Sequence, residues 1–168
     1  MNNDFFQNTA RFFLLLLLQV VVFNNMHIFG YITPYPYILF IILFPANNDR
    51  YGLLLWSFLL GLILDMFSDS GGIHATSCLI LAYYRHNLFR ISFGLSYEYQ
   101  TVKIQTSPLK KQLIFIGFSV LIHHFVLFCL EAFSFQLLGY ALLKVLFSSI
   151  FTFIFSVLII NLFKPSKK

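Results

Sequence analysis

Residues 51–75 read YGLLLWSFLLGLILDMFSDSGGIHA, and this stretch decides the fold. From Tyr51 to Leu64 there is no charged side chain. Residues 51–67 as a helix rise about 25 Å at 1.5 Å per residue, close to the thickness of a bilayer's hydrocarbon core. Asp65 and Asp69 then bracket a turn through Ser70-Gly71-Gly72, and a new apolar run starts at Ile73. The pattern is a membrane helix, a tight polar turn and a returning helix.

Composition extends that reading to the rest of the chain. Of the 168 residues, 59% are hydrophobic and 10% charged, and the mean hydropathy is +0.81. A water-soluble domain carries roughly 25% charged residues, so too little polar surface is present here to face water. Phe supplies 23 residues against one Trp; Phe covers large area without needing a hydrogen-bond partner. The net charge of +5 does not point to nucleic acid, because the basic residues fall between apolar runs, where they set membrane topology. Cys78 and Cys129 lie inside apolar runs without metal-ligand or CxxC spacing, and read as ordinary buried thiols.

The expected fold is all-α: a single compact transmembrane domain over 1–168, with helices at about 7–28, 34–46, 51–67, 73–90, 112–133 and 140–163. The first run carries Gln19 and ends at Asn24-Asn25-Met26-His27, which offers no small-x-small cleavage site, so it reads as a retained helix. The run 34–46, bracketed by Pro34, Pro36 and Pro45, is either a short span or a re-entrant segment. Asn47-Asn48-Asp49-Arg50 is a polar connection. Residues 91–111 form the longest polar loop, with Glu98, Lys103, Lys110 and Lys111; its Tyr97-Glu98-Tyr99 piece suits the membrane interface.

With six spans, Arg11, Arg50, Arg85, Arg90, Lys103, Lys110, Lys111, Lys164, Lys167 and Lys168 all fall on one side, and Asp65, Asp69 and Glu131 on the other. Basic loops stay cytoplasmic, so both termini are expected there, in a multi-pass membrane protein. Lys144, inside the sixth helix, is placed to snorkel outward.

Few residues suggest chemistry. A carboxylate in a membrane helix usually faces the bundle or an aqueous cavity, so Asp65 is either functional, a cap for the glycine turn, or a partner of Lys144. Asp69 reads as a turn residue or the cap of helix four. His123, His124 and Glu131 lie within two turns, with His124 and Glu131 on one face; they are either a proton relay or metal site or polar groups joining helices. His74 near Asp65 and Asp69 would allow at most a weak metal site. Ser57 with Gly61, and Ser148 with Thr152 and Ser156, form small-residue stripes that pack either inside the chain or against a partner's helix. No phosphate loop, nucleophile elbow or cofactor motif occurs, so no enzyme activity, cofactor or metal is expected.

The order of these features resembles the rod-shape-determining MreD family over nearly the whole chain. The likeness rests on the early helix with Gln19, the proline-flanked run from Pro34-Tyr35-Pro36 to Pro45, then Phe58-Leu59-Leu60-Gly61-Leu62-Ile63-Leu64-Asp65, Ser70-Gly71-Gly72-Ile73-His74-Ala75 and a fourth helix ending at Arg85. The Gly-Leu-x-x-Asp and Gly-x-x-Ala elements are its most recognisable part. This chain departs from the family in its Phe and Leu richness and its few Ala and Gly. The resemblance implies a non-enzymatic role in cell-wall elongation and cell shape, beside an MreC-like scaffold, an MreB-type cytoskeleton, and a RodA-type glycosyltransferase with its penicillin-binding protein. It also implies a fold like the substrate-binding membrane components of vitamin transporters. A small-solute transporter component is therefore the rival expectation, with a pocket near Asp65, His74 and Glu131. Gly61, Asp65, Gly72, His74, Glu131, Ser148, Thr152 and Ser156 are the residues expected to serve function or partner contact.

Overall fold

A computed structural model describes residues 2–26, 28, 32–45, 50–94, 104–132 and 138–162. Helix α1 spans Asn2–Leu17 and continues through a π turn, Leu18–Val22, and a 3-10 turn, Phe23–Asn25. A 3-10 turn at Pro36–Ile38 leads into α2, Leu39–Leu43. The longer helices α3 (Arg50–Ser68), α4 (Ile73–Phe93), α5 (Leu109–Ala132) and α6 (Leu138–Leu162) follow. Among the described residues the only extended pairing is one bridge between Ile28 and Ile32. The architecture is an all-α bundle.

Helices α3 to α6 pack each along the next in sequence. α1 closes the ring. Phe5 and Phe12 meet Trp56 of α3 at 6.3 and 5.2 Å between ring centroids, and Phe23 meets Phe155 of α6 at 5.2 Å. At the centre lies the α2 segment, with Tyr37 to Ile42 almost wholly buried.

Polarity is arranged for lipid. Leu55, Met66, Phe125, Leu142, Leu146, Ile150, Ile154 and Leu158 are exposed on the outside, while Gln19, Ser57, Ser77, Arg85, Ser119, His123, His124, Thr152 and Ser156 are buried. Four helical stretches are long and apolar enough to cross a membrane: Phe5–Asn25, Arg50–Ser68, Leu109–Ala132 and Gly139–Leu162. The other two expected spans are built differently. α4 has the length, but it carries His74, Arg85, His86, Asn87 and Arg90 and is held between α3 and α5.

The segment expected as a helix over 34–46 contains only eight helical residues, Pro36–Leu43. Their rise is about 13 Å, far short of the roughly 30 Å hydrocarbon core. Prolines explain the shortness: Pro34 and Pro36 lack the N–H a longer helix would need, and Pro45 disfavours helix at Phe44. The segment runs antiparallel to α1. Gln19 Nε2 donates to the Pro34 carbonyl at 3.3 Å, and Arg11 donates to the Leu43 carbonyl at 2.9 Å.

The loop expected over 91–111 is trimmed at both ends. α4 continues past Arg90 and stops at Gly94, whose positive φ of 80° lets its N–H close on the Arg90 carbonyl at 2.9 Å. α5 starts directly after Pro108 rather than at Gln112. Gly30 and Tyr31, Asn47-Asn48-Asp49, the Tyr97-Glu98-Tyr99 piece with Lys103, residues 133–137 and residues 163–168 lie outside the described residues.

Candidate functional site

The α3–α4 turn is built around Asp65. Asp69, Gly71 and Gly72 have positive φ (50°, 63° and 98°), which reverses the chain within a few residues. Gly72 occupies the N-cap position of α4 and has no side chain with which to cap. Asp65 does so from the neighbouring helix. Its Oδ1 accepts the His74 N–H and its Oδ2 the Ala75 N–H, both at 2.9 Å. Oδ1 also accepts the Ser70 hydroxyl at 2.5 Å, and His74 Nδ1 lies 3.1 Å away. A carboxylate at a helix N-terminus satisfies free N–H groups and meets the positive end of the helix dipole. Capping is thus a role that Asp65 performs.

Gly61, one helical turn earlier, allows the approach. A Cβ built there falls 2.5 Å from the Ala75 Cα and 2.6 Å from Ala75 N and the His74 carbonyl. All three are backbone atoms, so no side-chain movement relieves the clash. Gly61, Asp65, Gly72, His74 and Ala75 thus form one junction. Lys144 does not pair with Asp65: it donates to Glu131 Oε1 at 2.7 Å and lies over the rings of Phe128 and Tyr140.

Above this junction opens a cavity of about 630 Å3, bordered by Asn24, Asn25, Thr33, Tyr35, Asp69, Ser70, His74 and Glu131 among others. The second segment turns helical at Pro36, and Thr33 and Tyr35 before it border the space. His74, Glu131 and the Asp65 environment are therefore gathered at one end, as the rival expectation requires.

His123 and His124 join helices. His124 Nδ1 lies 2.9 Å from the Val120 carbonyl and can only donate to it. Nε2 then accepts from the Thr152 hydroxyl at 3.0 Å, and Thr152 Oγ1 accepts the Tyr35 N–H at 2.9 Å. This chain of bonds ties α5, α6 and the central segment. His123 Nε2 pairs with the Tyr37 hydroxyl at 2.8 Å. Glu131, expected on the same face as His124, instead meets Lys144 at the half-exposed rim, so the pair does not form a relay. Among the described residues no group of three or more His, Cys, Asp or Glu is placed to share a metal ion.

Both small-residue stripes turn inward. Ser148, Thr152 and Ser156 are fully buried, as is Ser57, and Gly61 abuts α4. They are packing faces within the chain, the first of the two placements open to Ser57 with Gly61 and to Ser148, Thr152 and Ser156. On α6 it is Leu142, Leu146, Ile150, Ile154 and Leu158 that face outward.

Sequence reading passed over the opposite end of the central segment. Arg85, buried, donates to the carbonyls of Ile42 (3.2 Å) and Phe44, and Arg11 takes that of Leu43. Arg85 also stacks over Phe89 at 4.7 Å. The one hint was an arginine inside each of two apolar runs. Comparison with protein-family models, curated proteins and solved structures returned no match.

Proposed function

We propose that this protein is a non-enzymatic scaffold of bacterial cell-wall elongation, an MreD-like partner of an MreC-like membrane protein. The observation that supports this reading is the α3–α4 junction. The residues that carry the resemblance, Gly61, Asp65, Gly72, His74 and Ala75, meet in one structural device. That device holds two helices in fixed register, which is what a scaffold's docking surface needs. The arginine end of the bundle is then cytoplasmic and the Asp65 end faces outward, following the rule for basic residues. A partner's helix would meet the outward apolar faces, since the small-residue stripes are occupied. The central buried segment within a helical ring also suits a fold like the membrane-bound binding components of vitamin transporters.

Co-expression with the MreC-like protein of the same genome, gentle detergent extraction and affinity purification test the reading. Recovery of the partner in stoichiometric amount is the expected outcome; its absence, with both proteins present in the membrane, overturns the scaffold.

The cavity favours a second reading, a binding component of a small-solute transporter. Genes for ATP-binding cassette subunits beside this one, with saturable uptake of a water-soluble vitamin, would establish it; wall-synthesis neighbours and no uptake would remove it.

A further inference from the structure

The cavity at the Asp65 end has a chemical bias. Several of its bordering side chains already bond inside the chain. Asn24 Nδ2 donates to Ser68 Oγ at 3.2 Å, Asn25 Nδ2 to the Val21 carbonyl at 3.0 Å, and Ser70 Oγ to Asp65. With Nδ1 directed at the Asp65 carboxylate, His74 is held as the tautomer whose Nε2 carries a lone pair. His74 is buried and borders the cavity; its Nδ1 also lies 2.9 Å from Ser70 Oγ, and its Nε2 has no hydrogen bond among the described residues. Asp69 and Glu131 also border the space, and no Lys or Arg does. Just behind the wall, three carboxylates (Asp65, Asp69, Glu131) face one Lys or Arg among the described residues, Lys144, already bound to Glu131. The Tyr35 ring provides an aromatic face on the same wall, 5.8 Å from the His74 ring.

We propose that this cavity is a binding site for a primary ammonium group. Such a group brings three N–H donors and a positive charge to a wall of acceptors, carboxylates and a π face. The inference rests on the second reading above for the cavity as a ligand site and adds the class of ligand. Two sources carry the same chemistry: a free small amine, and the ethanolamine headgroup of a phospholipid.

The test uses the full-length protein in phosphatidylcholine nanodiscs, with empty discs as blank, titrated with ethanolamine, acetate or acetamide and followed by saturation-transfer NMR. Saturable binding of ethanolamine alone is expected. Asp69→Asn with Glu131→Gln should weaken it about tenfold, the size of two half-exposed ion contacts. His74→Asn, which keeps a donor near Nδ1 and removes Nε2, should weaken it as well. Discs of phosphatidylethanolamine separate the sources: weakened ethanolamine binding there assigns the site to the headgroup, and unchanged binding assigns it to a free amine. Binding of acetate or acetamide in place of ethanolamine overturns the ammonium inference while leaving the cavity a ligand site. No saturable binding of any of the three, or ethanolamine binding indifferent to all these substitutions, overturns the inference outright. The first outcome also leaves the transporter reading to its vitamin test.

Discussion

At one end of the bundle an acid finishes a helix; at the other, two bases do. Asp65 takes the free N–H groups at the start of α4, and Arg85 and Arg11 take the free carbonyls at the end of α2. Lipid offers no hydrogen bonds, so each loose backbone group must find a partner in the protein. The helix dipole decides which charge fits which end. The segregation of acids and bases that reads as a topology signal is thus also a capping pattern. The two ends differ in what surrounds them. The arginines close on a filled core containing Phe40, Phe44 and Phe89, whereas the acid end opens on a cavity.

The contrast can be broken by substitution, with unfolding midpoints in detergent as the measurement. The largest effect is expected for Asp65→Ala, which orphans two buried N–H groups and takes a partner from the half-buried Ser70 hydroxyl: about 4 kcal/mol. Asp65→Asn, keeping an acceptor, should fall well below that; equal losses would mean that charge, not capping, matters. Gly61→Ala follows, at about 3 kcal/mol, because the new methyl meets backbone of α4 and α3 must move away. Arg85→Met should cost about 2 kcal/mol, its apolar stem still filling the core. A loss as large as that of Asp65→Ala would erase the difference between the two ends.

Smaller effects sharpen the account of the seam between the ends. Thr152→Val keeps the volume and removes the bonds to His124 and Tyr35, for about 1 kcal/mol, the usual scale for hydrogen bonds between membrane helices. In a double-mutant cycle with His124→Phe the two losses should not add. Lys144→Met, at the half-exposed rim, should cost under about 1 kcal/mol, and the difference from the parent should shrink in high salt.

Individual residues show how much of this was legible beforehand. Asp65 stood out as a carboxylate in an apolar run, and capping was among its readings, yet its choice over Asp69 was not. Asp69 is nearer to α4 in sequence, but its own positive φ uses it up in the turn. The stripe Ser148-Thr152-Ser156 was visible as a face, but a face does not say whether it looks inward. Arg11 and Arg85 counted only as topology markers, because the carbonyls they serve are more than thirty residues away. Tyr35, which borders the cavity and bonds Thr152, gave no sequence signal beyond its prolines.

Sequence alone determined the solvent and the long helices. Apolar length is a local, additive property, and a run that is too apolar for water and long enough for a bilayer has few alternatives. Tertiary structure decided the burial of residues 34–44, the partner of Asp65 and the cavity beside it. Each depends on which distant backbone groups lack partners once the helices have packed, and that is settled by geometry across the bundle rather than by neighbours along the chain.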